Sequence, residues 1–135
     1  MKVDWAIPCR YAEAYPQGGT TIIGAGSDAV LAPHVPMPAQ VLFAVRYVGA
    51  PDELDGEMVH AIACRIFDPD GTCVGEQKAN LTGGVTQLVP GYTAELTVPT
   101  AIVIDARQYG TYSVEFEIDG HTERVPIHII EPPND

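Results

Sequence analysis

The sequence predicts an all-β fold, an antiparallel β-sandwich of about eight strands. Three observations predict it. Apolar residues recur at every second position in several runs, and Gly and Pro gather mostly between those runs. No stretch of useful length keeps the 3.6-residue period of a helix.

The first run carries Val3, Trp5, Ile7, Cys9 and Tyr11 at alternate positions, which predicts one strand with these residues on its buried face. Pro8 inside it points to a sheet edge or a bulge. Pro16-Gln17-Gly18-Gly19 is a turn, and Thr20 to Ala25 is a second strand that leaves at Gly24 and Gly26. Ala32 to Pro38 holds three prolines and is expected to be a crossover, neither helix nor central strand. Gln40 to Val48 is a third strand with Val41, Phe43, Val45 and Tyr47 inward; its other face is apolar too apart from Arg46, so it is expected to be central.

An acidic loop, Ala50 to Glu57, leads to a strand from Met58 to Phe67. Asp68-Pro69-Asp70-Gly71 suits a type I turn closed by a glycine bulge, and it pairs Phe67 with Cys73, Ala61 with Ala79 and Val59 with Leu81. His60, Glu76, Lys78 and Asn80 then share the opposite face. Leu81 to Tyr92 reads as a loop and Tyr92 to Val98 as a strand. Ala101 to Ile104 either continues that strand past Pro99 or starts a turn of helix, and Asp105 to Tyr109 is the other place where a helical turn fits.

Gly110 to Ile130 is a hairpin around Asp119-Gly120, two residues that tolerate the positive φ a type I′ turn requires. The turn sets the register: Ile118 faces His121, Phe116 faces Glu123, Val114 faces Val125 and Tyr112 faces Ile127. On the other face Glu115 meets Arg124, Ser113 meets Pro126 and Thr111 meets His128. Pro126 falls at a non-hydrogen-bonded pair, so the last strand is expected to be an edge, or to have an outer neighbour that is interrupted there.

Gly110-Thr111-Tyr112 and the alternating run that follows resemble the closing hairpin of immunoglobulin-like sandwiches, whose tyrosine sits near a sheet corner. That resemblance implies fold only, and the paired cysteines of antibody domains are absent. VDWAIPCRYAE, TIIGAG, FDPDG and GTYSVEFEIDG together resemble a group of uncharacterised small bacterial domains of unknown function. This second resemblance spans most of the chain and transfers no functional residue.

A chain of 135 residues, 46% hydrophobic and 19% charged, can bury a core of its own. Residues 1–131 are expected to form one domain and 132–135 a frayed tail. The net charge of −11, with only seven Lys and Arg, disfavours nucleic acid and anionic membranes as partners. Met1 to Arg10 lacks the apolar core of a signal peptide, and no apolar run reaches the ~18 residues of a membrane helix. Three cysteines at irregular spacing suit a reducing compartment, so the cytoplasm is the expected location.

Candidate sites are few. Gly24-Ala25-Gly26-Ser27-Asp28-Ala29 matches a dinucleotide fingerprint, but that motif works only where a helix begins, and prolines follow within ten residues. His121 and His128 fall on opposite faces of the hairpin and cannot share a metal; His60 and His34 have no assignable companion. Cys9 lies among apolar residues, Cys64 is expected to face Glu76, and neither is placed as a nucleophile. Asp52, Glu53, Asp55 and Glu57 are the candidate calcium ligands, although their spacing is not that of an EF-hand loop. No cofactor is expected.

The function these readings favour is non-catalytic, a β-sandwich that works through protein contact as an accessory or adaptor subunit or by self-association. Its expected contact surfaces are the strand Thr122 to Ile130 and the loops Ala32 to Pro38 and Leu81 to Tyr92. The alternative is a module that binds calcium or a small molecule, on its acidic loops or between its sheets.

Overall fold

Among the described residues of the computed structural model ten strands follow one another: β1 (Lys2–Cys9), β2 (Tyr11–Ala14), β3 (Thr20–Ile23), β4 (Ala29–Leu31), β5 (Met37–Gly49), β6 (His60–Phe67), β7 (Cys73–Leu81), β8 (Ala94–Ala106), β9 (Gly110–Ile118) and β10 (His121–Ile130). A single 3-10 turn, Pro51–Leu54, separates β5 from β6. The structure describes residues 1–15, 19–82 and 94–134. The strands form a three-stranded sheet, β1-β5-β8, a five-stranded sheet, β4-β10-β9-β6-β7, and a separate two-stranded sheet, β2-β3.

The sandwich expected from the alternation is present, with two strands more than expected. The first run breaks at Arg10 into β1 and β2, and Ala29–Leu31, too short to show a period, pairs parallel to His128–Ile130 as β4. The core fills the space between the two larger sheets. Val41, Phe43, Val45 and Tyr47 of β5 face Tyr112, Val114, Phe116 and Ile118 of β9, all buried. Phe43 and Phe116 meet edge to face at 5.0 Å. Each such side chain contributes roughly 1.5–3 kcal/mol by leaving water.

The closing hairpin has the register read from its turn, from Ile118 opposite His121 to Thr111 opposite His128. Asp119 and Gly120 take φ of 49° and 82°. β4 covers only His128–Ile130, so the outer neighbour of β10 ends before Pro126. At the other end of β9 the buried Tyr112 hydroxyl accepts from the amides of Arg107 and Gln108 and donates to the Gln108 carbonyl. It thereby pins the turn between β8 and β9, where a short helical turn had been one expectation.

Two bulges correct the sequence reading. Val3 pairs with Tyr47 but Trp5 pairs with Arg46, so Asp4 is an extra residue on β1. Beyond it Ala6 and Pro8 lie opposite the core residues Val45 and Phe43, and Trp5, Ile7 and Cys9 turn to the outer face instead of the inner one. In the β6-β7 hairpin Phe67 pairs with Cys73 as expected, but Ile66 pairs with Gly75, which leaves Val74 as the extra residue. From there the register moves by one: Ile62 meets Ala79, Cys64 meets Gln77 rather than Glu76, and His60 meets Leu81 and turns inward.

Two boundaries also move. Met37 and Pro38 belong to β5, paired with Ala106 and Asp105, although they were expected in the crossover. A proline is tolerated there because β1 reaches only as far as Leu42, leaving that end of β5 with one neighbour. β8 runs through Pro99 without a break, on the edge of its sheet. The turn read at Pro16 to Gly18, and most of the loop read from Leu81 to Tyr92, lie outside the described residues; Leu81 itself closes β7.

Candidate functional site

Three places in the fold could carry function: a buried polar cluster, a cleft between the sheets, and the outer side of the three-stranded sheet. The cluster is centred on His60, which is 2% exposed. Its Nδ1 lies 2.7 Å from Asp119 Oδ2 and its Nε2 lies 2.5 Å from the Glu53 carbonyl oxygen. The α-amino group of Met1 donates to Glu53 Oε2 at 2.6 Å and to Asp119 Oδ2 at 3.3 Å. An imidazole between two acceptors must donate from both nitrogens, so His60 is an imidazolium.

Burial alone would lower the His60 pKa, but the Glu53 carbonyl and the Asp119 carboxylate outweigh it and hold it above the ordinary value. Asp119 is held low: burial would raise it, and the bonds from His60 and Met1 prevail. Glu53 is lowered chiefly by the Met1 ammonium and then by the Ala50 amide. Both nitrogens of His60 are occupied and the ring is closed off from solvent. It can hold a proton and tie elements together, but it cannot reach a substrate.

The cleft opens where β7 and β8, the last strands of their sheets, face each other. It has a volume of about 370 Å³ and is walled by Ile62, Ala79, Val98, Ile102 and Phe116, with Tyr47 and Cys64 at its side. Burial pushes Tyr47 up to about 12 and Cys64 up to about 11. Both therefore stay neutral at ordinary pH, and the Cys64 thiol is no nucleophile.

The third place is the outer side of β1-β5-β8 together with the β2-β3 hairpin, whose β2 lies against β5 and β8. After the Asp4 bulge this side carries Trp5 and Ile7, both half-buried, beside Leu42 and Ala44 of β5. Val103 on β8 is 60% exposed, and Ile23, Tyr11 and Tyr15 on the hairpin are 56%, 46% and 43% exposed. Tyr11 and Ile23 are a cross-strand pair, and the Glu13–Thr21 pair on the same side of the hairpin separates them from Tyr15.

Charge separates this side from the rest of the molecule. Its segments, residues 1–14, 37–49 and 94–107, contain Lys2, Arg10, Arg46 and Arg107 against Asp4, Glu13, Glu95 and Asp105. Arg46 is paired with both Asp4 and Glu95, and Arg107 with Asp105. The segments are therefore neutral. The whole net charge of −11 comes from the rest, which has three of the seven Lys and Arg but fourteen of the eighteen Asp and Glu. The outer face of the five-stranded sheet is itself charged: Arg65 bonds Glu76, Glu115 and Glu117, and Arg124 bonds Glu115 and lies over the Phe67 ring.

A family model described as a family of unknown function (DUF6941) matches residues 4–130. The chain belongs to that family. No curated protein is similar to it.

In this DUF6941 chain the acidic-loop residues are put to local use. Glu53 also accepts from the Ala50 amide at 2.8 Å, and Asp55 accepts from the amides of Glu57 and Met58. Asp52 and Glu57 are exposed. Among the described residues no three acidic, His or Cys side chains converge as a metal group. Gly24 and Gly26 have φ of 69° and 85° and lead into the extended strand β4, not into a helix.

His121 and His128 do lie on opposite faces: His121 accepts from the Val3 amide, and His128 lies 3.0 Å from the Thr111 hydroxyl. His34 is exposed. Cys9 is buried on the outer side of β1, where burial raises its thiol pKa, and Cys73 is exposed. Sequence reasoning missed His60 because, without the Val74 bulge, it put the odd-numbered residues of β6 inward with Ala79 and Leu81, whereas Ile62, Cys64 and Ile66 pair with core residues of β9 and His60 shares their face. The signal that could have found it is the glycine at position 75, a residue that within a strand often marks a bulge.

Proposed function

We propose that this protein is a non-catalytic contact module, an accessory or adaptor subunit that meets a protein partner through the neutral apolar side formed by β1, β5, β8 and the β2-β3 hairpin. One observation carries the reading. In a chain of net charge −11, the side free of net charge exposes Tyr11, Tyr15, Ile23 and Val103, four of the nine well-exposed large apolar residues among those described. Aromatic residues are enriched at protein interfaces.

The titratable groups fit a structural role. His60 is closed off and two of the three thiols are raised by burial. Three unpaired cysteines support a reducing compartment such as the cytoplasm. The hydroxyl of Tyr112 at the β8-β9 turn supports kinship with immunoglobulin-like sandwiches, which often serve in contact.

Affinity capture from the native host, with the wild-type protein and a Val103→Lys, Ile23→Lys variant as baits, tests the proposal. A partner held by the wild type and lost by the variant is the expected result. Equal recovery on both baits would sink it.

A second reading is favoured by the cleft between β7 and β8, whose size and apolar walls suit a small apolar molecule. Native mass spectrometry of the purified protein distinguishes the two, because a bound molecule adds a mass that denaturation removes.

A further inference from the structure

We infer that the occupant of this neutral apolar side is a second copy of the chain, packed against it in a two-fold dimer. The inference rests on the contact reading above and adds the partner. In a two-fold contact each patch meets its own equivalent, so a patch of net charge repels itself. Two copies that met through the remaining surface would bring together its fourteen Asp and Glu with only three Lys and Arg to offset them. Two copies that meet through the β1-β5-β8 side bring together zero net charge. Two of its three arginines are already answered within the copy, Arg46 by Asp4 and Glu95 and Arg107 by Asp105.

The geometry fits such a contact. The β2-β3 hairpin belongs to neither main sheet and rests on β5 and β8 through β2. A second copy laid against Tyr11, Tyr15 and Ile23 would cover its exposed side. A foreign partner selected by charge would instead be steered to the acidic remainder of the surface.

The two kinds of association respond to salt in opposite directions. Each copy of the dimer carries −11 away from the contact, so screening that repulsion tightens the pair. The dissociation constant is expected to fall on the order of tenfold between 50 mM and 500 mM NaCl. Sedimentation equilibrium at the two salt concentrations should show a species of twice 14.5 kDa. Trp5, the one tryptophan, sits on this side and should change its emission on dilution.

Val103→Lys and Ile23→Lys, both at well-exposed positions, should each give a monomer with an unchanged far-ultraviolet spectrum. They lie on different sheets, so loss of folding in one leaves the other as the test. A monomer at both salt concentrations overturns the second copy and leaves the contact reading for a different protein. A dimer that survives both substitutions overturns the proposal, because the two copies then meet through another surface.

Discussion

A neutral imidazole offers one donor and one acceptor, whereas His60 meets two acceptors, and this fixes the sign of its pH dependence. Its folded pKa is raised, so the stability it contributes is complete below the unfolded value near ~6.5 and is lost as pH rises through the folded value. The Met1 amino group, raised above 8.0 chiefly by Glu53, acts in the same direction at higher pH. Asp119 and Glu53 are lowered, so their contributions are present above about pH 4 and are lost as pH falls through the folded values. All four therefore contribute fully only in mildly acidic solution, roughly pH 5 to 6.5. Calorimetric melting from pH 6 to pH 9 should show a falling midpoint in the wild type and a shallower fall in His60→Gln; parallel slopes would remove His60 from this role. Tyr112 makes a second prediction. Tyr112→Phe keeps the ring in the core but leaves the Arg107 and Gln108 amides without their acceptor, and should cost about 1–3 kcal/mol in urea unfolding.

The Asp119-Gly120 turn serves two purposes that one substitution can separate. Asp119 tolerates positive φ, and its carboxylate also binds His60 and Met1. Asn tolerates the same backbone without the charge. Asp119→Asn should therefore keep the cross-strand proximity of Ile118 and His121 in NMR spectra while the His60 pKa falls in an NMR titration. A lost register would mean that the charge, not the turn, sets the pairing. The hairpin was legible because its turn, alternation and charge pairs agree, down to Arg124 bonding Glu115 at 2.8 Å. The β6-β7 hairpin was legible only as far as its turn. One extra residue at Val74 leaves the composition of the strand unchanged and inverts its faces beyond that point. The Asp4 bulge does the same to β1, and so it was the outer side, not the core, that received Trp5 and Ile7.

The distribution of charge over the whole molecule sets its response to salt. The exposed ion pairs of Arg107 and Lys78 contribute little each and weaken as salt rises. Self-repulsion from −11 is relieved by the same salt, and it is the larger effect. The thermal midpoint should therefore rise by a few degrees between 20 mM and 500 mM NaCl at pH 7. A falling midpoint would place the ion pairs above the repulsion.

Period and turn chemistry are local, and they were enough to determine the all-strand class, the inward face of β5 and the register of β9 with β10. Sheet order, the two bulges, the parallel β4 and the burial of His60 were decided by packing between distant segments: the imidazole and its carboxylate stand 59 residues apart. The same holds for the neutral apolar side: residues 1–14 are neutral alone, but the positive charge of Arg46 on β5 is offset only once β8, with Glu95, Asp105 and Arg107, lies beside it. A period-2 pattern shows which residues share a face; only the free energy of packing one sheet on another decides which face is buried.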